Sequence, residues 1–263
     1  MLTRILAAAV LAPPFLYAVW QGHWWFFCLS LFLSVMAALE FAQLLKAGGQ
    51  SSQPLVGFAW TLLIYVGLLV KGRDGLLAVV ALVPNLLLLR YLSKDKIEGA
   101  AMECAWTCYG VLAYTLPLSF LWLIRDGPNG RELLLVFLCL VWVQDSAAYF
   151  WGRALGRHKL SQHISPKKTW EGAILGWLTA LAAVWAAVTF GLGHPLSPVT
   201  MMGFALTAIS AQLGDLNESL LKRNMGVKDS GTLIPGHGGI LDRFDSFTFA
   251  APVMYYVAQA API

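Results

Sequence analysis

Long apolar runs alternate with short polar connectors along the whole chain. The runs can be drawn at about Ile5–Trp20, Trp24–Leu45, Pro54–Val70, Gly75–Leu89, Ala100–Ile124, Leu133–Trp151, Gly172–Leu192, Pro198–Leu221 and Ile240–Ala260. A helix of about 20 apolar residues crosses a hydrocarbon core roughly 30 Å thick, so the pattern predicts about nine transmembrane helices. The strands of a membrane barrel would alternate apolar and polar at every second residue, whereas these runs are continuously apolar. The first run, with Arg4 ahead of it, imitates a signal peptide. It lacks an A-x-A-like cleavage site, and a second run follows almost at once, so it reads as a retained helix with Pro13 and Pro14 as the place for a tilt or kink.

Composition narrows the class further. Of 263 residues, 58% are hydrophobic and only 12% charged, with a mean hydropathy of +0.66; a soluble domain carries roughly 25% charged residues. The expected fold is therefore all-α, a polytopic integral membrane protein, organised as one domain over residues 1–263. Residues 1–132 read as mainly scaffold helices and residues 133–263 as the catalytic half. Cys28, Cys104, Cys108 and Cys139 lie in apolar runs without metal or disulfide spacing, and read as small packing residues.

Charge placement predicts the orientation. With the N-terminus inside and nine spans, fourteen of the 18 Lys and Arg fall on the inside, which by the positive-inside rule makes that side cytoplasmic. Nine of the fourteen, however, lie in or beside two unusual connectors, and without them the asymmetry nearly vanishes.

Those two connectors, Gly152–Glu171 and Lys222–Gly239, are long and rich in Gly, Lys, Arg and His. Seven of the fourteen acids lie between Asp145 and Asp245. A carboxylate in a membrane span costs a few kcal/mol, so its retention suggests function. Asp215 and Glu218 are spaced i,i+3, with Ser219 and Lys222 at i+4 and i+7 from Asp215, so all four share a helical face. Asp242 and Asp245 repeat the i,i+3 spacing, with Arg243 beside them. Antiparallel helices joined by a loop would bring Lys222 and Asp242 to the same depth. Converging carboxylates repel one another unless a cation lies among them, and oxygen donors suit Mg²⁺; buried ion pairs of Asp215 and Asp242 with Lys222 and Arg243 are the alternative. Glu40 and Glu103 have no acidic neighbour in sequence and read as packing or interface residues.

The Asn224–Gly239 connector holds five glycines, which allow close backbone approach and could turn amide groups toward an anion. It lacks the G-x-x-x-x-G-K-[ST] pattern of a P-loop. In the other connector Asp145 and Tyr149 are i,i+4 at a helix end, and Ser165–Pro166 reads as an N-cap and first residue opening a helix. Lys167 and Lys168 would then sit at a helix start, unfavourably for its dipole unless an anion binds there; headgroup contact and anchoring are the alternatives.

The segment Ser219-Leu-Leu-Lys-Arg-Asn-Met-Gly-Val-Lys-Asp-Ser-Gly-Thr-Leu-Ile-Pro-Gly-His-Gly-Gly-Ile-Leu-Asp-Arg-Phe-Asp245 closely resembles the signature of the phosphatidate cytidylyltransferases, or CDP-diacylglycerol synthases, at every fixed position. Asp145…Tyr149…Gly152…Gly156 and Ile164-Ser-Pro-Lys-Lys-Thr-Trp-Glu-Gly172 resemble the family's second block. The resemblance implies transfer of a cytidylyl group from CTP to phosphatidate with release of pyrophosphate, at the cytoplasmic side of a bacterial inner membrane. It implies Mg²⁺, with room for a second cation at a dinuclear centre, and a homodimer; no nucleic-acid partner is expected. Carried onto this sequence, it makes Asp215, Asp242 and Asp245 metal ligands. Together with Lys222 and Lys228 they are the candidate catalytic residues. Asp145, Ser165, Lys167, Lys168, Thr169, Ser219, Arg223, Asp229, His237, Gly238, Gly239 and Arg243 are candidate substrate-binding residues.

Three rival readings remain on sequence grounds. A CTP-dependent lipid kinase would release CDP instead of pyrophosphate. A transporter would also use intramembrane carboxylates, but the chain lacks an inverted repeat. A non-catalytic scaffold does not explain two connectors so dense in polar residues. A CDP-alcohol phosphotransferase is disfavoured by the missing D-G-x₂-A-R pattern.

Overall fold

The structure, a computed structural model, describes residues 2–94, 98–231 and 238–260. Its helices are α1 (Leu2–Gln21), α2 (His23–Ala47), α3 (Pro54–Lys94), α4 (Ala100–Gly110), α5 (Leu116–Asp126), α6 (Gly130–Leu155), α7 (Trp170–Ala186), α8 (Pro198–Asn224) and α9 (Leu241–Ala260). A π-turn at Val111–Thr115 joins α4 to α5 in one rod, and another at Ala187–Gly191 extends α7. Among the described residues, six segments are long and apolar enough to cross a membrane: His23–Ala47, Pro54–Leu89, Ala100–Asp126, Gly130–Leu155, Trp170–Gly191 and Pro198–Asn224. The protein is an all-α, multi-span membrane protein.

Helix α3 is a folded pair of arms. Lys71 and Gly72 leave helical geometry, Gly72 with φ +55°, a value that suits glycine because it has no Cβ. A Cβ placed on Gly67 would stand 2.7 Å from the carbonyl oxygen of Gly75, although residues eight apart in a continuous helix are separated by about 12 Å. The arms 54–70 and 73–94 therefore lie against each other through bare glycine backbone, and they correspond to the third and fourth apolar runs. Helix α1 contains both Pro13 and Pro14 within its length.

Side-chain size decides how closely the remaining helices approach. In α7, Gly172 and Gly176 face Ala148 of α6; a Cβ on Gly176 would meet the Ala148 nitrogen at 2.8 Å, so small residues let the backbones touch. Gly214 of α8 serves the same purpose opposite Asp245 of α9, where a Cβ would lie 2.5 Å from the Asp245 carbonyl oxygen. Around these contacts Tyr114, Leu118, Phe137, Leu140, Phe204, Ala208 and Ala251 form a buried core. A second core lies between α2 and α3, where the Ser30 and Ser34 hydroxyls meet Tyr65 Oη at 2.6 and 2.8 Å.

Glu103 has a packing role, as expected. It accepts from Gln53 Nε2, just ahead of α3, at 2.6 Å and from Tyr91 Oη, in the second arm of α3, at 2.5 Å, tying α4 to both places. All four cysteines are free. Cys104 is packed in the second core, but Cys28 is exposed on α2, so the packing expectation does not hold for it.

The ends of the helices are grouped by chemistry. The C-terminal ends of α2, α6 and α8 and the N-terminal ends of α7 and α9 meet at one end of the molecule, where the acids and lysines lie. At the other end Arg125 donates from Nε to the Val19 carbonyl at 2.6 Å and from Nη2 to the Trp20 carbonyl at 2.9 Å, satisfying the last carbonyls of α1.

Candidate active site

Local sequence explains how α8 delivers its polar residues. The helix opens on Ser197, whose hydroxyl accepts from the Thr200 amide at 3.1 Å, and on Pro198 in its first turn, a standard start signal. It closes with Gly226 at φ +70°, the Gly226 amide bonding to the Arg223 carbonyl and the Val227 amide to Lys222. This left-handed glycine cap stops the helix directly after its Asp215–Lys222 face. On that face Glu218 is fully buried and lies 2.5 Å from Lys222 Nζ, which reaches Asp242 Oδ1 at 2.6 Å. The expected match in depth between Lys222 and Asp242 is what the structure has.

Asp242 is the most heavily engaged acid. Besides Lys222, its Oδ2 accepts from the Ser230 amide at 2.9 Å, the Ser230 hydroxyl at 2.9 Å and the Gly239 amide at 2.8 Å. One carboxylate thus fastens both described ends of the glycine connector to the first turn of α9. The expectation of amides facing an anion finds a first answer in the protein's own Asp242. Asp245, one turn on, accepts the Ser246 amide at 2.6 Å and lies within electrostatic reach of Asp145, Asp215 and Glu218.

The second connector differs from expectation. Ser165 and Pro166 do not open a helix: residues Lys159–Ser161 (β1) and Ser165–Thr169 (β2) pair as an antiparallel hairpin. Helix α7 begins at Trp170 with Thr169 as its cap, the Thr169 hydroxyl accepting from the Gly172 amide at 3.2 Å. The reason is electrostatic and local. Two lysines in a first helical turn oppose the helix dipole, whereas in a strand successive side chains point to opposite faces. Lys168 accordingly turns inward to pair with Asp215, while Lys167 is exposed. Glu171 secures the loop before the hairpin, accepting from the Arg157 and His158 amides at 3.1 and 3.2 Å and meeting His158 Nδ1 at 2.6 Å. Arg223 joins hairpin to α8, donating from Nε to the Ile164 carbonyl at 3.4 Å.

A cavity of about 1020 Å³ opens over this cluster. Asp145, Asp215, Asp242, Asp245, Lys167, Lys168 and Arg243 line its polar part; Phe15, Leu29, Phe32, Leu33, Leu138 and Trp142, from α1, α2 and α6, line its apolar part. One space therefore offers charged groups at the end of the helices and an oily wall along them. A smaller cavity of about 580 Å³ lies at the opposite end, among Leu123, Asn129, Leu192 and Tyr255, away from the cluster.

The candidate residues are thus partly gathered. Asp145, Lys167, Lys168, Thr169, Asp215, Asp242, Arg243 and Asp245 surround the cavity, with Lys222 behind Asp242. Lys228 and Asp229 are exposed on the connector and line neither cavity. Ser165 and Ser219 are half-buried, and Gly238 and Gly239 lie at the start of α9. His237 lies outside the described residues.

Glu40 takes the packing alternative and not the lipid interface, but its partner was not foreseen: it is 5% exposed and accepts the Ile240 and Leu241 amides at 2.8 and 2.9 Å. One signal was available: nothing in Gly238-Gly239-Ile240 can cap α9, whose first amides need acceptors.

No three His, Cys, Asp or Glu among the described residues are drawn together tightly enough to enclose a cation. The donor set nonetheless suits a hard cation. Five carboxylates, Asp145, Asp215, Glu218, Asp242 and Asp245, outnumber the ammonium groups of Lys168 and Lys222 that meet them, and oxygen donors match Mg²⁺.

Comparison with known proteins agrees on one family. The sequence profile of the cytidylyltransferase family matches residues 2–261. A phosphatidate cytidylyltransferase of Brucella suis is 36% identical over 259 residues, covering 96% of this chain and 91% of the relative. That of Haemophilus influenzae is 46% identical over 136 residues, 50% of this chain and 47% of the relative. That of Staphylococcus aureus is 38% identical over 171 residues, 65% of each.

Proposed function

The chain belongs to the cytidylyltransferase family and is a CTP-dependent phosphatidate cytidylyltransferase, and from that premise we infer that CDP-diacylglycerol is made in the larger cavity. The observation that carries this placement is the meeting of the acid–lysine cluster with an apolar wall in one space. A phosphatidate molecule has the same division, with acyl chains on one side and a phosphate monoester on the other.

In the reaction an oxygen of the lipid phosphate attacks the α-phosphorus of CTP. The new O–P bond forms as the bond from that phosphorus to the β-bridging oxygen breaks, and pyrophosphate leaves with the electron pair. A phosphate dianion is already a nucleophile, so positioning and charge neutralisation are the main requirements. Lys168, Lys167 and Arg243 line the cavity and are suited to hold phosphate oxygens. Lys222 keeps Asp242 oriented. Arg223 holds the hairpin that carries the lysines, Thr169 caps the helix that follows it, and Ser165 lies in its second strand. Asp145, Ser219, Lys228, Asp229, His237, Gly238 and Gly239 complete the substrate-contact set by family resemblance.

Mg²⁺ is assigned to Asp215, Asp242 and Asp245, with room for a second cation beside Asp145. When bound, such an ion supplies neutralisation of charge on phosphate oxygens. With such an ion at Asp215, Lys168, which lines the cavity, would be free to meet the substrate, while Lys222 stays behind Asp242. The reading also comprises nine spans, a cytoplasmic N-terminus, an active end at the cytoplasmic face of a bacterial inner membrane, and a homodimer. Excess Lys and Arg at the active end support that orientation.

The test is turnover of detergent-purified protein with phosphatidate and CTP labelled at the α-phosphate. Label in the lipid with pyrophosphate released, only with Mg²⁺ present, is expected. Unlabelled lipid with CDP released would instead mean a kinase.

A further inference from the structure

We propose that Glu40 is a positioning residue for this reaction: its carboxylate, reaching from α2, holds both ends of the glycine connector and the first turn of α9, and so sets where Asp242 and Asp245 stand. The proposal rests on the functional reading above and brings a residue of the scaffold half into the site.

The contacts converge from two stretches of the chain, 230–231 and 239–241. Glu40 Oε1 accepts the Ile240 amide at 2.8 Å, and Oε2 accepts the Leu241 amide at 2.9 Å. Ser230 Oγ lies 3.4 Å from Glu40 Oε2 and 2.9 Å from Asp242 Oδ2, so one hydroxyl stands between the two acids. A Cβ on Gly231 would lie 3.2 Å from Glu40 Cδ, and one on Gly239 only 2.6 Å from it. Glycine on each side of the connector therefore leaves the space that this carboxylate fills.

Helix α9 depends on that carboxylate because its own sequence supplies no cap. Gly238, Gly239 and Ile240 have no side-chain acceptor, while the first amides of any helix lack intrahelical partners. A carboxylate there satisfies two of them and complements the positive end of the helix dipole. Glu40 is itself a fixed post: Ala37, Phe41, Leu44 and Leu45, on either side of it in α2, are buried in the main core. Asp242 is the second residue of α9 and Asp245 follows one turn later, so a shift of the helix start displaces both together.

The test compares wild-type protein with Glu40→Gln and Glu40→Asp in the labelled-CTP assay and by hydrogen exchange of the 238–245 segment. Glu40→Gln replaces one acceptor oxygen by a donor. It is expected to lower kcat about 100-fold, the loss that roughly 1 Å of misplacement causes, with the KM for phosphatidate within about threefold, because the lipid wall is untouched. Exchange at one of residues 240 and 241 should rise about tenfold or more as its amide loses its acceptor, the remaining carbonyl oxygen of the glutamine serving the other. Glu40→Asp keeps both oxygens and is expected to retain at least about a tenth of wild-type kcat. A Glu40→Gln protein with wild-type kcat and wild-type exchange overturns the proposal, as does a loss that only tracks the fraction of folded protein. If Glu40→Gln is not recovered folded, Ser230→Ala takes its place, and wild-type kcat with unchanged exchange there is equally fatal. Wild-type protein that transfers no cytidylyl group overturns the functional reading and this role with it; active wild-type with insensitive Glu40 variants overturns this role alone.

Discussion

Lys222 Nζ lies 2.6 Å from Asp242 Oδ1, joining the last turn of α8 to the first turn of α9 across the glycine connector. The same ammonium lies 2.5 Å from Glu218, which is wholly buried. One cation thus compensates two carboxylates in a site with little water. Lys222→Met would strand both acids, and removal of one partner of a buried ion pair costs about 3–5 kcal/mol. The expected result is a marked fall in the unfolding temperature in detergent together with lost turnover; an unchanged unfolding temperature would refute the structural part.

Asp215 is in a different position, with a side chain 27% exposed to the cavity and Lys168 as its ion-pair partner. Asp215→Asn should fold normally yet reduce kcat by about 100-fold or more, the scale of losing one charge-stabilising group in an active site. Chelation of Mg²⁺ should silence the wild type and leave little further to lose in the variant. Normal activity of Asp215→Asn at ordinary Mg²⁺ would remove this residue from the metal set.

The two hairpin lysines should separate cleanly. Lys168 pairs with Asp215, whereas Lys167, next to it in the strand, is the more exposed of the two at the cavity. Lys168→Ala is expected to cost at least about tenfold more in kcat/KM than Lys167→Ala, consistent with a charge-assisted contact of about 1.5–3 kcal/mol. Equal losses measured side by side would argue against the strand assignment.

Gly176 provides a purely steric test. A Cβ there would lie 2.8–2.9 Å from the nitrogen, Cα and Cβ of Ala148, one turn from Asp145. Gly176→Ala should destabilise the protein by about 1–3 kcal/mol through overpacking, seen as a lower unfolding temperature, and should weaken activity by shifting α6 against α7.

How far sequence alone reaches is clearest from pairs of residues. The runs of apolar residues set the helices, because only a helix satisfies its own backbone across a hydrocarbon layer. Helical spacing placed Asp215, Glu218 and Lys222 on one face, and the antiparallel return through the connector placed Lys222 level with Asp242. A bilayer of given thickness and a rise of 1.5 Å per residue leave depth along the membrane normal nearly determined. Nothing in that arithmetic says which helix stands beside which. Glu40 meets Ile240 and Leu241 across 200 and 201 residues, and only the packing of α2 against α9 reveals it as their acceptor. Lys168 meets Asp215 only because the connector forms a hairpin where local signals suggested a helix start. Depth and helical face were written in the sequence because they follow from local geometry; lateral neighbours were decided by the tertiary structure, where glycines at Gly67, Gly176 and Gly214 let particular backbones touch.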